Sequence, residues 1–167
     1  MQDAQSDTTA TIEERIGRLR DEQEVRETFL QFFALLDARR YPEVAELLTP
    51  DVEIDHPVPE RRLLRGREDV TAHLRTRVAP WTQTSAHVVG EGVVEWDGER
   101  PRVVSYVTAW YWHTGNTRLG DLRPADWTAV WLVESDFTRV DGRWLIAWSA
   151  ASPAGGLVAA GEAPFVP

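Results

Sequence analysis

Apolar residues recur every three or four positions in the first half of the chain and in long alternating runs in the second half, and this change of period constrains the fold more than any other feature. Ile12, Ile16, Leu19, Val25, Phe29 and Phe33 follow helical spacing, and Thr11 with Glu14 three positions on makes a capping box ahead of them. The spacing predicts one long amphipathic helix from Ile12 to about Ala38. Pro42 pushes Tyr41 out of helical geometry and itself suits a first helical position, so YPEVAELL starts a second, short helix that Pro50 closes. Asp51 to His56 reads as the first strand. Gly66 then turns the chain into a helix from about Glu68 to Val78, with His73 among polar neighbours.

Runs rich in Val, Trp, Tyr and Thr follow at Thr84 to Trp96, Arg102 to His113, Trp127 to Val140 and Arg143 to Ser149. Asp97-Gly98 and Asp141-Gly142 mark tight hairpins, whereas Thr114 to Asp126 is a longer loop containing Gly115 and Gly120. Helices first and an antiparallel meander second define an α+β domain: a cone-shaped barrel whose curved, mainly antiparallel sheet wraps around the N-terminal helices and leaves a pocket. Residues 1–10 read as a disordered lead, 11–149 as a single domain and 150–167 as a tail. Leu157, Val158, Phe165 and Val166 make that tail too apolar to be left in water. It is expected to fold over the pocket mouth as a lid, with docking against a neighbouring subunit as the rival.

The formal charge of -9 argues against nucleic acid or an anionic membrane as a partner, because both require clustered Lys and Arg. The absence of Cys removes disulfides, thiolate metal sites and thiol nucleophiles. No apolar run approaches the roughly 20 residues that span a bilayer. The opening MQDAQSDTTA is polar where a signal peptide is basic and then apolar, so the cytoplasm is the expected location. Eight Trp either fill a twisted sheet or line an aromatic cavity.

Four titratable residues stand out by position. Asp37 extends the stripe of Phe29 and Phe33 into the last helical turn, where the macrodipole opposes a carboxylate. A partner is therefore expected, either Arg39 or Arg40 or a histidine. In VEIDHP, Val52, Ile54 and His56 share one strand face while Glu53 and Asp55 share the other. His87 lies on a strand apolar on both faces, and His113 ends the run YVTAWYWH beside the long loop. His73, on a polar helix, reads as a hydrogen-bonded structural or surface residue. A histidine acting as general base needs its second nitrogen fixed by an acceptor, and Asp37 can serve one of the three strand histidines so. Metal is not expected, since no H-x-H or H-x-x-x-H spacing supports it. Phosphate loops, the G-x-S-x-G elbow and the dinucleotide fingerprint are missing as well.

The order LDARRYPEVAELLTPDVEIDHPV, RGREDV, TSAHVV, a strand ending in histidine, and FTRVDGRWLIA resembles the SnoaL-like branch of the nuclear-transport-factor-like superfamily, from about Ile12 to Ser149. That superfamily includes ketosteroid isomerases, polyketide cyclases, limonene epoxide hydrolase, scytalone dehydratase and bile-acid dehydratases. In its reactive positions the chain is similar to scytalone dehydratase: the pocket acid falls on Asp37, the first-strand phenol on His56, and two histidines on His87 and His113. It departs at Leu36, which replaces a pocket tyrosine, and at Phe32, where an isomerase has its oxyanion tyrosine. Val133 stands for a strand asparagine, and Ser149 follows Trp148 where polyketide cyclases carry a catalytic Asp.

The resemblance implies a cofactor-independent lyase, a dehydratase removing water from a β-hydroxy carbonyl intermediate of secondary metabolism. Asp37 would orient His87 as the base, His113 would protonate the leaving hydroxyl and His56 would polarise the carbonyl. Phe32, Phe33, Tyr41, Tyr111 and Trp110 are the candidate substrate contacts. Alternation lets only Tyr106 with Trp110 and Trp112, or Tyr111 with His113, face inward, and matching His113 to the family favours the second set. The indoles would then face outward, towards a partner in a homo-oligomer, a dimer or trimer. A small hydrophobic or aromatic substrate is implied, with no cofactor. A cyclase or isomerase using the same pocket and a non-catalytic small-molecule-binding protein are the alternatives.

Overall fold

Thr11 caps the first helix with both halves of its box: the Glu14 N–H donates to Thr11 Oγ1 at 3.2 Å, and the Thr11 N–H to the Glu14 carboxylate at 2.6 Å. The computed structural model describes residues 11–57, 61–114 and 124–154. Helix α1 spans Ile12–Asp37 and buries Val25, Phe29 and Phe33 on one face, but Ile12, Ile16 and Leu19 remain exposed. Its apolar stripe thus docks only from the fourth turn onward, and two tryptophans from the sheet hold the turn before it. Trp144 Nε1 donates to Asp21 at 3.1 Å, Trp96 Nε1 to Glu22 at 3.3 Å, and Thr28 Oγ1 to the Trp144 carbonyl at 3.2 Å.

The helix ends through Arg39, a non-glycine residue at φ 56°, whose left-handed turn lets the Arg40 N–H donate to the Leu35 carbonyl at 2.9 Å. Helix α2 (Tyr41–Glu46) follows, then strands β1 (Leu48–His56) and β2 (Arg62–Arg65). Strand β1 begins three residues earlier than its sequence implies, because Leu48 already pairs with Ile146. Strand β2 carries no strand signature of its own; Arg65 reaches Glu53 at 2.9 Å and Arg61 reaches Asp55 at 3.0 Å, so charge pairing along β1 aligns it. Helix α3 (Arg67–His73) continues as a π-helical turn over Leu74–Val78, with the Ala79 N–H donating to the Leu74 carbonyl. Such turns occur often at functional sites.

The remaining strands are β3 (Thr82–Val89), β4 (Val93–Asp97), β5 (Arg100–His113), β6 (Trp127–Val140) and β7 (Arg143–Pro153). The sheet runs β2-β1-β7-β6-β5-β3, with β4 beside β3 along the same edge of β5. All pairings are antiparallel except β1 with β7. The sheet curves around the helices without closing, so the cone keeps two edges. What the sequence presents as one run from Thr84 to Trp96 is broken at Gly90–Gly92. There the chain crosses close over β5: a Cβ on Gly92 would lie 2.7 Å from Val103 Cγ1, and one on Gly90 3.0 Å from the Tyr106 carbonyl oxygen.

On β5 the odd-numbered Val103, Ser105, Val107 and Ala109 are buried inside the cone, and the even-numbered Tyr106 lies outside. Strand β7 extends past Ser149 to Pro153, since Ala150 and Ala151 pair with Glu134 and Val133. The expected lid over residues 155–167, the polar lead over 1–10 and the glycine-containing loop over 115–123 lie outside the described residues.

Candidate active site

The inner faces of β3, β5, β6 and β7 form one side of a cavity, and the end of α1, the start of α2, the end of β1 and the π-helical turn form the other. Asp37 closes the last turn of α1 directly opposite β3. Its Oδ1 accepts from His87 Nδ1 at 2.6 Å and from Ser85 Oγ at 2.8 Å, while Oδ2 accepts the His87 backbone N–H at 2.8 Å. Arg40 pairs instead with Glu43, and no described arginine reaches Asp37. The helix-end carboxylate has thus found its partner in the histidine. Burial alone would raise the Asp37 pKa, but the hydrogen bond and charge of His87, with the bonds from Ser85 and the backbone, outweigh it and hold the group below its ordinary value.

A carboxylate on Nδ1 assigns that nitrogen the proton and leaves the Nε2 lone pair free for chemistry. His87 Nε2 lies 3.4 Å from the Tyr111 hydroxyl, a long contact that a substrate atom can displace. Although Tyr111 keeps some exposure along the cavity, burial, followed by the nearby Asp37 charge, pushes its phenol well above the ordinary range. It therefore stays a neutral donor. Phe33 stands 5.4 Å from the His87 ring, and Trp127 stacks on Tyr111 at 4.8 Å, so both rings are held by packing.

Because the folded-state pKa of Asp37 is depressed, its contribution to stability is complete above the unfolded-state value and is lost as pH falls through the folded-state value. Asp37→Asn is accordingly expected to narrow its stability gap to the wild type in acid, below the ordinary aspartate range, relative to pH 7. Urea denaturation of both proteins across that range measures this; a gap independent of pH would contradict the stabilisation of the Asp37 carboxylate by its hydrogen bonds.

Of the residues singled out by sequence, His56, Phe32, Phe33, Tyr41, His87 and Tyr111 line the cavity. Burial, opposed by Arg39, raises the Tyr41 phenol pKa. Two expectations need correction. Trp110 lies on the outer face of β5, beside Thr128 and Ala86, because strand alternation places it opposite Tyr111. His113 shares the inner parity but sits two residues beyond Tyr111, in register with Thr82, and is not part of the cavity lining. Its backbone N–H donates to Asp126 at 2.7 Å.

Other residues were missed. His73 is buried, and its ring meets His56 edge-on with centroids 5.0 Å apart. The signal was available, since Val70, His73 and Leu74 share one helical face. Ser85 sits two residues before His87 on the same strand face, which alternation would have shown. Among the described residues no set of three His, Asp or Glu side chains is suited to holding a metal ion, and no helix is long and apolar enough to cross a membrane.

A curved, mainly antiparallel sheet wrapped over N-terminal helices defines the nuclear-transport-factor-like class. Within that class the sequence matches the SnoaL-like domain over residues 17–148, and the chain belongs to that family. Among solved structures it is similar to the hexachlorocyclohexane dehydrochlorinase LinA-type3 from Novosphingobium barchaimii LL02, with 15% identity over 92% of this chain and 99% of that one and a TM-score of 0.71. It is similar also to a putative scytalone dehydratase from Novosphingobium aromaticivorans DSM 12444, with 17% identity, 86% and 94% coverage and a TM-score of 0.67. A third is ActVI-ORFA from Streptomyces coelicolor, with 20% identity, 80% and 96% coverage and a TM-score of 0.65. At such identities the likeness establishes the fold. No curated protein matches the chain in sequence.

Proposed function

We propose that the protein is a cofactor-independent lyase that eliminates water from a β-hydroxy carbonyl compound. The observation that carries this reading is the Asp37–His87 pair at 2.6 Å with Nε2 turned into a largely apolar cavity. Nε2 takes the proton from the carbon next to the carbonyl, and the C–H electrons become the new double bond as the β-hydroxyl departs. Handing the same proton to the departing hydroxyl yields water, so the atoms balance without a further acid. Asp37 fixes the tautomer and stabilises the imidazolium that forms in between. His56, where β1 ends, is expected to hold a polar substituent of the substrate. A dehydrochlorinase and a putative scytalone dehydratase, both eliminating enzymes by name, support the reading.

The test is conversion of bicyclic and aromatic β-hydroxy ketones, followed by enone absorbance and product mass. Dehydration lowers the mass by one water, whereas the isomerase or cyclase reading leaves a product of unchanged mass or a different loss. Turnover indifferent to His87→Ala would overturn the assignment.

The second part of the reading concerns assembly. Val88, Val93 and Tyr106 stand 59%, 60% and 61% exposed on the outer sheet face, bordered by Glu95, Arg102 and Glu134. A second copy of the chain fits this face, because exposed apolar side chains gathered on a sheet are the kind of surface that a partner covers. Tyr106→Arg is expected to shift the protein towards monomer in sedimentation without loss of fold. An unchanged oligomer would exclude this face.

A further inference from the structure

Resting on the elimination reading, we propose that Ser149, held by Ser135, donates a hydrogen bond to a neutral oxygen of the substrate, across the cavity from His87. Ser135 on β6 and Ser149 on β7 are register partners, and their hydroxyl oxygens lie 2.8 Å apart. Both are buried, but only Ser149 lines the cavity. Two hydroxyls carry two protons, and the bond between them uses one; no further hydrogen bond joins either hydroxyl to a described residue.

The direction of the bond decides where the second proton goes. If Ser149 donated, the Ser135 proton would be stranded in the core with no acceptor, which costs free energy. If Ser135 donates, the Ser149 proton points into the cavity, where a ligand oxygen can accept it. The second arrangement is the stable one once the cavity is occupied, and Ser149 is the one hydroxyl on a wall otherwise made by Trp131, Val133 and Ala151.

The chemistry of that wall selects the ligand. Its nearest neighbours Ile54, Val133 and Ala151 are apolar, so a carboxylate would have no charged partner at that point while a ketone oxygen is satisfied by one donor. Two strands, β6 and β5, separate β7 from β3 in the sheet. At about 4.8 Å per spacing the walls bearing Ser149 and His87 are therefore some 14 Å apart along the sheet, and closer across the curve. A substrate that meets both side chains must span what remains of that distance. Electrons released when His87 removes the proton can then flow through conjugation to the oxygen at Ser149, where a prepositioned donor meets the developing charge.

The test compares binding of 1-tetralone with that of tetralin, its oxygen-free analogue, in the wild type, Ser149→Ala, Ser149→Thr and Ser135→Ala, each checked for folding by thermal unfolding. The wild type is expected to prefer the ketone. Ser149→Ala is expected to reduce that preference by about 2- to 10-fold, the worth of one neutral hydrogen bond. Ser149→Thr should restore it, and Ser135→Ala should lower it less. The infrared carbonyl stretch of bound 1-tetralone should move to lower frequency in the wild type and return towards its free value in Ser149→Ala. An unchanged preference with an unchanged stretch, or no saturable binding of 1-tetralone, overturns the proposal. His87→Ala should leave the preference intact while sharply lowering turnover, so the two readings fail separately.

Discussion

His87→Ala is expected to lower turnover of a β-hydroxy ketone by about 10²- to 10⁴-fold, the usual contribution of a positioned general base, while the protein stays folded. The ring is packed between Phe33 and Tyr111, so its removal leaves a gap facing a cavity that solvent can enter, and the loss of packing is small beside the loss of the base. Asp37→Asn should impair the same step by a different route. The amide keeps the shape of the carboxylate but can donate to Nδ1, which moves the imidazole proton to Nε2 and removes the lone pair that faces the cavity. Ser85 and the backbone N–H of His87 would both lose a charged acceptor as well. Residues that act as a unit are non-additive, so the double variant should be about as slow as His87→Ala alone. Steady-state kinetics of the two single variants and the double variant decide this; losses that multiply would mean the pair does not cooperate.

Phe137→Ala should have the largest effect on stability. The ring is 1% exposed, among the largest fully buried side chains, and it sits where the β6–β7 register shifts between Asp136 and Phe137. Truncating such a ring typically costs about 3–5 kcal/mol, because the cavity left behind collapses only in part. A domain of this kind has about 5–15 kcal/mol in total. The variant is therefore expected to lose a large share of its stability, read as a lowered urea midpoint with an unchanged slope. Phe137→Leu should cost much less. A loss under about 1 kcal/mol for the alanine variant, the size of an ordinary substitution, would show that the bulged region repacks.

Features written in local chemistry were legible before any coordinates. The capping box at Thr11, the stripe from Val25 to Phe33 and the inward side of Ile54 and His56 all follow from spacing alone. Asp37 is the instructive residue: an acid on an apolar stripe at a helix C-terminus demanded a partner, and the sequence could not choose between Arg39 or Arg40 and a histidine. The choice was made by β3, which brings His87 across the cone while Arg40 turns to Glu43. Strand β2 escaped notice because Arg62 to Arg65 has no alternation and becomes a strand only against Glu53 and Asp55. The Ser135–Ser149 pair was invisible for a related reason, since a hydroxyl contact across two strands leaves no trace in either strand's own pattern. His113 was misplaced by trusting parity without depth: it faces the correct side but lies beyond the cavity.

The parallel pairing of β1 with β7 has a kinetic consequence. Leu48 waits for Ile146 and Ile54 for Ser149, while the other neighbour of β1 is only the short β2. During synthesis the N-terminal half of the chain leaves the ribosome long before its main partner strand exists. Closing so long a loop costs chain entropy before any contact rewards it, so the step should come late and limit the folding rate. Until then β1 presents an unpaired edge, the kind of surface on which nascent chains associate with one another. A chain truncated within β7 would keep that edge permanently, and its fate should be aggregation or capture by a chaperone even though every residue of the Asp37–His87 pair has already been made.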